Sequence, residues 1–214
     1  MNNILKESSY SINKAVKLLS THKLVSLKAE TVYGLACDPS SIKSIKKLYD
    51  LKKRPYNNPL IIHVSSIQML NSICHTNRLT KKIISQFWPG PLTIILPRKK
   101  NKNILDFAVS GLDTIAVRMP KSPVFLSVLK RFGKPIAAPS ANESGYISST
   151  KAIHVFDSFK KKVDLIIDSG QSDFGLESTI IDLSSNKIVL RRPGVVDIKS
   201  LEVFIGKKIY ELKT

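Results

Sequence analysis

Short apolar runs alternate along this chain with stretches whose apolar residues recur at helical spacing, and that alternation leaves few folds open. Leu24–Leu27, Pro59–Val64, Leu92–Leu96, Thr114–Arg118, Pro135–Ala138 and Leu165–Asp168 have the length of buried strands, whereas residues 11–22, 41–51, 80–87, 123–132 and 153–159 carry an amphipathic helical pattern. Ser178–Asp182 and Lys187–Arg191, joined by Ser-Ser-Asn, form a predicted hairpin, so the sheet cannot be purely parallel. The expected architecture is α/β, an open twisted mixed sheet flanked by helices, with residues 1–214 as one domain. No apolar run approaches the roughly 20 residues of a membrane span. The first turns carry Glu7 and interspersed lysines where a signal peptide has an apolar block, so the chain is expected to stay in the cytoplasm, off the membrane.

The formal charge of +18 draws nucleotides, nucleic acid and anionic surfaces alike. Of 34 cations only 7 are Arg, the residue whose planar fork grips phosphate, so the arginines are the better site candidates and most lysines are solvated surface. Lys52 and Arg54 stand where a helix closes on Pro55. Because the residue before a proline is pushed toward extended geometry, the pair can converge on one anion while Lys53 points away. The alternative is that cations at a helix C-terminus answer the helix dipole.

A second candidate is Ser140-Ala-Asn142, where a short strand breaks at Pro139. Positions i and i+2 of an extended segment share a face, so Ser140 and Asn142 present a hydroxyl and an amide side by side unless they merely end the strand in a turn. Thr31 and Tyr33 before Gly34 suggest a loop at a strand end, and Thr114, Ala116 and Arg118 share one strand face. His63 is either a core histidine or a ligand. Ser148, Ser149 and Thr150 include a candidate helix cap, and residues 97–113 form the one long loop. Cys37 and Cys74 read as buried bystanders.

The glycine-rich phosphate loops are missing, as are paired catalytic carboxylates and zinc motifs. Cations and hydroxyls at strand ends remain, a set suited to holding an anionic nucleotide against a small polar substrate, with positioning and charge stabilisation as the means of catalysis.

Seven segments together resemble the YrdC/TsaC threonylcarbamoyl-AMP synthases: Thr31–Leu35, Leu51-Lys-Lys-Arg-Pro55 (K-x-R), Phe87–Thr93, Ile115–Pro120, Pro139-Ser-Ala-Asn142 (S-x-N), Ser178–Asp182 and Arg192-Pro-Gly194. The resemblance implies a sheet with a concave basic face. It also implies a nucleotidyltransferase joining L-threonine, bicarbonate and ATP into threonylcarbamoyl-AMP and pyrophosphate, the precursor of threonylcarbamoyl-adenosine in tRNA. By motif position ATP would be held by Lys52, Arg54, Asn58, Thr114, Ser140, Asn142, Ser148 and Arg192, with Lys52, Arg54, Ser140 and Asn142 as the catalytic set. Threonine would be held by Thr31, His63, Arg118, the backbone at Ala138, and Ser178. Mg²⁺ would come with ATP rather than on protein ligands, tRNA would bind weakly if at all, and a threonylcarbamoyl transferase complex would take the product. The chain departs from the family at Lys28-Ala29, where Pro-Thr is usual, and at Asn58, where Lys is frequent. It resembles the short, single-domain members. The competing readings are a non-catalytic binder of tRNA or double-stranded RNA with the same fold, and a carbamoyl-transfer module.

Overall fold

In the computed structural model, which describes residues 3–211, strands and helices follow one another as the alternation predicts. The order begins β1 (Ile4–Lys6), α1 (Ser9–Ser20), β2 (Val25–Lys28), β3 (Tyr33–Ala36), α2 (Ile42–Lys52), β4 (Ile62–His63), α3 (Ile67–Ile73), α4 (Arg78–Phe87) and β5 (Leu92–Pro97). It continues β6 (Thr114–Arg118), α5 (Pro123–Phe132), β7 (Ile136–Ala137), α6 (Ala152–Phe159), β8 (Leu165–Asp168), β9 (Thr179–Asp182), β10 (Val189–Arg192), α7 (Ile198–Ile205) and β11 (Tyr210–Glu211). None of these helices is long and apolar enough to cross a membrane.

The strands form two mixed sheets, ordered β1-β8-β2-β3 and β11-β10-β9-β5-β6-β4-β7. The expected hairpin is present as antiparallel β9 and β10. The two sheets meet at a seam between β3 and β7, where Cys37 and Ala137 exchange N–H···O bonds of 2.9 and 3.1 Å. Further along the seam Leu35 N–H reaches the Pro139 carbonyl at 2.8 Å, and Ala141 N–H reaches that of Tyr33 at 2.7 Å. A Cβ on Gly34 would come within 3.3 Å of the Ala138 Cβ, so the missing side chain lets the strands close. Gly34 therefore belongs to β3, and the loop expected around it is confined to positions 29–32.

Two apolar layers cover the sheets, and each draws on both: Tyr33, Leu35 and Ile166 of the smaller sheet lie in one with Ile94 of the larger, and Ile136 of the larger lies in the other. Ile12, Ala15 and Leu19 of α1 and Val124, Phe125 and Val128 of α5 cover the smaller sheet. Ile45 and Leu48 of α2, Leu70 of α3 and Ile83 of α4 pack with Ile94 and Val117 of the larger one. Residues 97–113 are partly anchored, because Ile104, Ala108 and Val109 are buried in that second layer and Asp106–Val109 closes a 3-10 turn. Of the predicted strand at 59–64 only Ile62–His63 pairs, and β1, α7 and β11 are too short or too irregular in pattern to announce themselves.

Candidate functional site

The site is built from the seam outward. On its inner side Ala29, Thr31 and Gly34 from the smaller sheet face His63, Arg118, Ala138 and Ser178 from the larger one around a cavity of about 80 Å³. A cleft of about 720 Å³ adjoins it, bounded by the end of α2, positions 140–148, β6 and the β9–β10 hairpin. Arg54, Ile61, Ser140, Glu177 and Arg192 line both spaces and so mark where they meet.

Arg118 anchors the inner cavity. Its Nη2 donates to Glu30 Oε1 at 2.7 Å, Nη1 to Thr31 Oγ1 at 2.9 Å and Nε to the Gly90 carbonyl at 3.1 Å, all of them buried. Glu30 Oε2 accepts the Lys121 N–H at 3.0 Å, so the carboxylate of this ion pair is satisfied on both oxygens. Three of the five guanidinium N–H groups are thereby engaged and two remain for a ligand. His63 stacks on Phe125 with ring centroids 4.8 Å apart. Burial, helped by the nearby Arg118 charge, lowers the His63 pKa from 6.5 to about 3, which makes it a neutral imidazole. Its Nδ1 is buried with no protein partner, an exception to the rule that interior polar atoms are paired. Ser178 Oγ lies 2.7 Å from Thr93 Oγ1, so the Phe87–Thr93 motif supports the cavity twice, through the Gly90 carbonyl and through Thr93.

The cleft is lined by both signs of charge. Arg54 turns back over positions 58 and 59, with Nε donating to the Asn58 carbonyl (3.0 Å) and Nη2 to Asn58 Oδ1 (2.6 Å) and the Pro59 carbonyl (2.8 Å). Arg192 grips the Ser178 carbonyl through Nε (3.1 Å) and Nη2 (2.9 Å), and its Nη1 pairs with Glu177. Glu177 also accepts the Ser148 hydroxyl at 3.0 Å, and the Arg192 charge helps hold its carboxyl below the usual range against the opposing effect of burial.

The residues assigned by motif position to threonine and ATP border these two spaces, whereas Tyr33, Ser149 and Thr150 do not. Thr31, His63, Arg118, Ala138 and Ser178 line the inner cavity, while Lys52, Arg54, Asn58, Thr114, Ser140, Asn142, Ser148 and Arg192 line the cleft.

Three local geometries differ from expectation. Lys52 does not pair with Arg54 toward an anion, because its ammonium is spent on backbone carbonyls. It completes the interior face of α2 with Ser44, Ile45 and Leu48, is 1% exposed, and donates through Nζ to the carbonyls of Ser140 (2.6 Å) and Asn142. Its own carbonyl accepts Ser144 N–H at 2.8 Å, so both ends of Lys52 tie positions 140–144 to the helix. The cause is helical phase: the helix persists through Lys52, and the change of direction falls on Lys53, a left-handed C-cap at φ 51°.

Asn142 does not stand beside Ser140, because the extended segment ends before it. Its Nδ2 donates to the carbonyls of Glu143 (2.8 Å) and Tyr146 (2.7 Å), leaving Ser140 as the half-exposed member of the pair. Finally, none of the hydroxyls at 148–150 caps α6, whose N-cap is Lys151. Ser148 reaches Glu177, Ser149 bonds the Ala141 carbonyl at 2.7 Å, and Thr150 faces the His154 ring at 3.4 Å.

Sequence reasoning passed over Glu177 and the pairing of Glu30. The only mark on either is that it is one of 16 acidic residues in a chain of net charge +18.

A cavity with a buried guanidinium adjoins a cleft of nucleotide size at the seam of two mixed sheets, so this α/β protein has room for two ligands side by side. The family model Sua5_yciO_yrdC, described as "Telomere recombination", matches residues 17–194. The chain is 40% identical over 199 residues to a threonylcarbamoyl-AMP synthase of Pyrococcus abyssi, covering 92% of this chain and 58% of that protein. It is 38% identical over 203 residues to a threonylcarbamoyl-AMP synthase of Bacillus subtilis, covering 94% and 58%. The crystal structure of P. abyssi Sua5 complexed with L-threonine superposes with a TM-score of 0.91 at 38% identity, over 97% of this chain and 61% of that one. This chain belongs to the Sua5/YrdC family. It spans a little over half the length of these curated relatives.

Proposed function

We propose that the chain is a threonylcarbamoyl-AMP synthase, a nucleotidyltransferase that joins L-threonine, bicarbonate and ATP and releases pyrophosphate, with the product serving tRNA modification in the cytoplasm. The observation that carries this reading is the partition of the site. The five residues proposed for threonine line the inner cavity, the eight proposed for ATP line the cleft, and the two spaces meet at Arg54, Ser140 and Arg192.

In this reading the two unengaged N–H groups of Arg118 take the threonine carboxylate. Thr31, Ser178 and the unpartnered His63 Nδ1 take its hydroxyl and amine. The amine and bicarbonate condense with loss of water to a carbamate at the junction. A carbamate oxygen then bonds to the α-phosphorus of ATP as the bond to the pyrophosphate oxygen breaks. Arg54 and Arg192 flank that point and would neutralise the charge that develops there.

No group of three or more His, Cys, Asp or Glu among the described residues could cage a metal. The carboxylates of the cleft, Glu177 and Asp182, are each paired with an arginine, so Mg²⁺ would arrive on the phosphates and supply charge neutralisation. A non-catalytic RNA binder needs a positive field but gains nothing from a buried Arg118–Glu30 pair set behind a small cavity. The test is pyrophosphate release from ATP that requires both threonine and bicarbonate. Release of ADP and inorganic phosphate, or indifference to bicarbonate, would refute the reading.

A further inference from the structure

Glu177 is a carboxylate set among the groups that would receive phosphate. Its Oε1 accepts the Ser148 hydroxyl at 3.0 Å and its Oε2 pairs with Arg192 Nη1, at the point where cavity and cleft join. The Nη1 N–H given to this carboxylate is withheld from a phosphate oxygen while Glu177 holds it, and the carboxylate's charge repels a phosphate brought beside it. For a nucleotide to take this N–H, one of the two partners must give way.

The structure shows which one can. Arg192 is fixed by two further N–H bonds to the Ser178 carbonyl. The Glu177 backbone is equally fixed: its carbonyl accepts Val195 N–H at 3.1 Å, and Gly194 lies so close that a Cβ there would sit 2.3 Å from that oxygen. The two side chains are almost equally exposed, at 32% and 31%, but apart from Arg192 the Glu177 carboxylate is held only by the Ser148 hydroxyl, and it can leave by rotating about its own bonds.

We propose that Glu177 is a placeholder anion, which occupies the phosphate seat of the empty site and is displaced by the phosphates of ATP. This rests on the nucleotide reading above and adds a consequence to it. The carboxylate competes with every phosphate that binds, so it weakens the hold on ATP and on the departing pyrophosphate together. A positioning residue that merely braced Arg192 would have the opposite sign, since its loss would loosen the guanidinium and weaken anion binding.

The experiment titrates inorganic pyrophosphate and ATP into wild type, Glu177→Gln and Glu177→Asp by calorimetry, with thermal unfolding of each. Removing one like charge at contact range should tighten pyrophosphate and ATP binding to Glu177→Gln by about tenfold or more. Its KM for ATP and its kcat should fall together as pyrophosphate release becomes slow. Glu177→Asp keeps the charge but withdraws it by about 1.5 Å, and should fall between the two. Should Glu177→Gln unfold early, Glu177→Asp alone decides, by binding pyrophosphate more tightly than wild type or not. Unchanged or weaker binding in the substituted proteins overturns the placeholder role while leaving the nucleotide reading intact. If neither ATP nor pyrophosphate binds wild type or any variant, the nucleotide reading fails and takes the proposal with it.

Discussion

Lys52→Met keeps most of the aliphatic stem on the interior face of α2 and removes the ammonium that holds the carbonyls of Ser140 and Asn142. Two acceptors left without a donor cost about 1 to 3 kcal/mol each, so the substitution should destabilise the protein by roughly 2 to 6 kcal/mol. A pH signature separates this tie from a phosphate contact. Burial, with the Arg54 charge as the second cause, lowers the Lys52 pKa from 10.5 to about 8. Between those values the folded protein has shed a proton that the unfolded chain keeps, so stability rises with pH across that window. Integrated from about pH 7.5 to about pH 9.5, the gain is about 2 kcal/mol. The neutral amine still has two N–H groups, one for each carbonyl, so deprotonation does not cut the tie. Urea unfolding of wild type, Lys52→Met and Lys53→Ala at both pH values measures it, and titrations common to all three cancel in the differences. Lys53 is exposed and pairs with Glu143 at the surface, so its loss should leave both the stability and its pH response nearly unchanged. If Lys52→Met unfolds like wild type at both pH values and loses only ATP affinity, Lys52 is a phosphate contact and the tie is wrong.

Three further outcomes follow from the inner cavity. The folded pKa of His63 is depressed to about 3, so the folded state resists a proton that the unfolded chain accepts below about 6.5. Stability should therefore fall by up to about 1.4 kcal/mol per pH unit on acidification through that window, and His63→Asn should flatten the response in denaturant titrations. Arg118→Met leaves Glu30 buried without its cation and should cost about 3 to 5 kcal/mol. Pairing it with Glu30→Gln should restore part of the melting temperature but none of the threonine binding. Serine should be used only modestly less well than threonine, because one methyl in a pocket is worth about 1 to 3 kcal/mol. Valine should fail more severely in the pyrophosphate assay, because it leaves the hydroxyl's partners unpaired.

The parts of this structure that were legible in the sequence are those governed by period. Thr114, Ala116 and Arg118 share a face because β6 is a regular strand, and all three border the site. α5 begins at Pro123 and ends at Phe132 as its pattern predicts, with Gly133 as the left-handed cap. Lys52 was legible too, since Ile45, Leu48 and Lys52 fall on one helical face. The pre-proline rule acts on Arg54, the residue next to Pro55, and gives no reason to unwind the helix two residues earlier.

What period cannot supply is the meeting of remote positions. Glu177 acquires its role from Ser148, 29 positions before it, and from Arg192, 15 after it, and no local pattern foretells either neighbour. The joining of the two sheets depends likewise on a few bonds between residues near 35 and residues near 139, in segments too short to read as paired strands. Such a seam also accounts for the form of the sequence signal. Apart from β6, which presents a whole face, the groups that border the site are supplied mostly where strands end and their faces stop being covered by helices, so most elements contribute one or two residues and then turn away. The site is consequently spread over the seven short motifs and single positions outside them, such as Asn58, His63, Ser148 and Glu177, separated by ordinary core and surface. No single motif has to hold a charge alone: Gly90 and Thr31 steady Arg118, Thr93 meets Ser178, and Lys52 fixes the loop that carries Ser140. A substitution in one motif should therefore be felt first in the geometry of another, and double-mutant coupling in activity between Lys52 and Ser140, or between Thr93 and Arg192, is where that dependence would be measured.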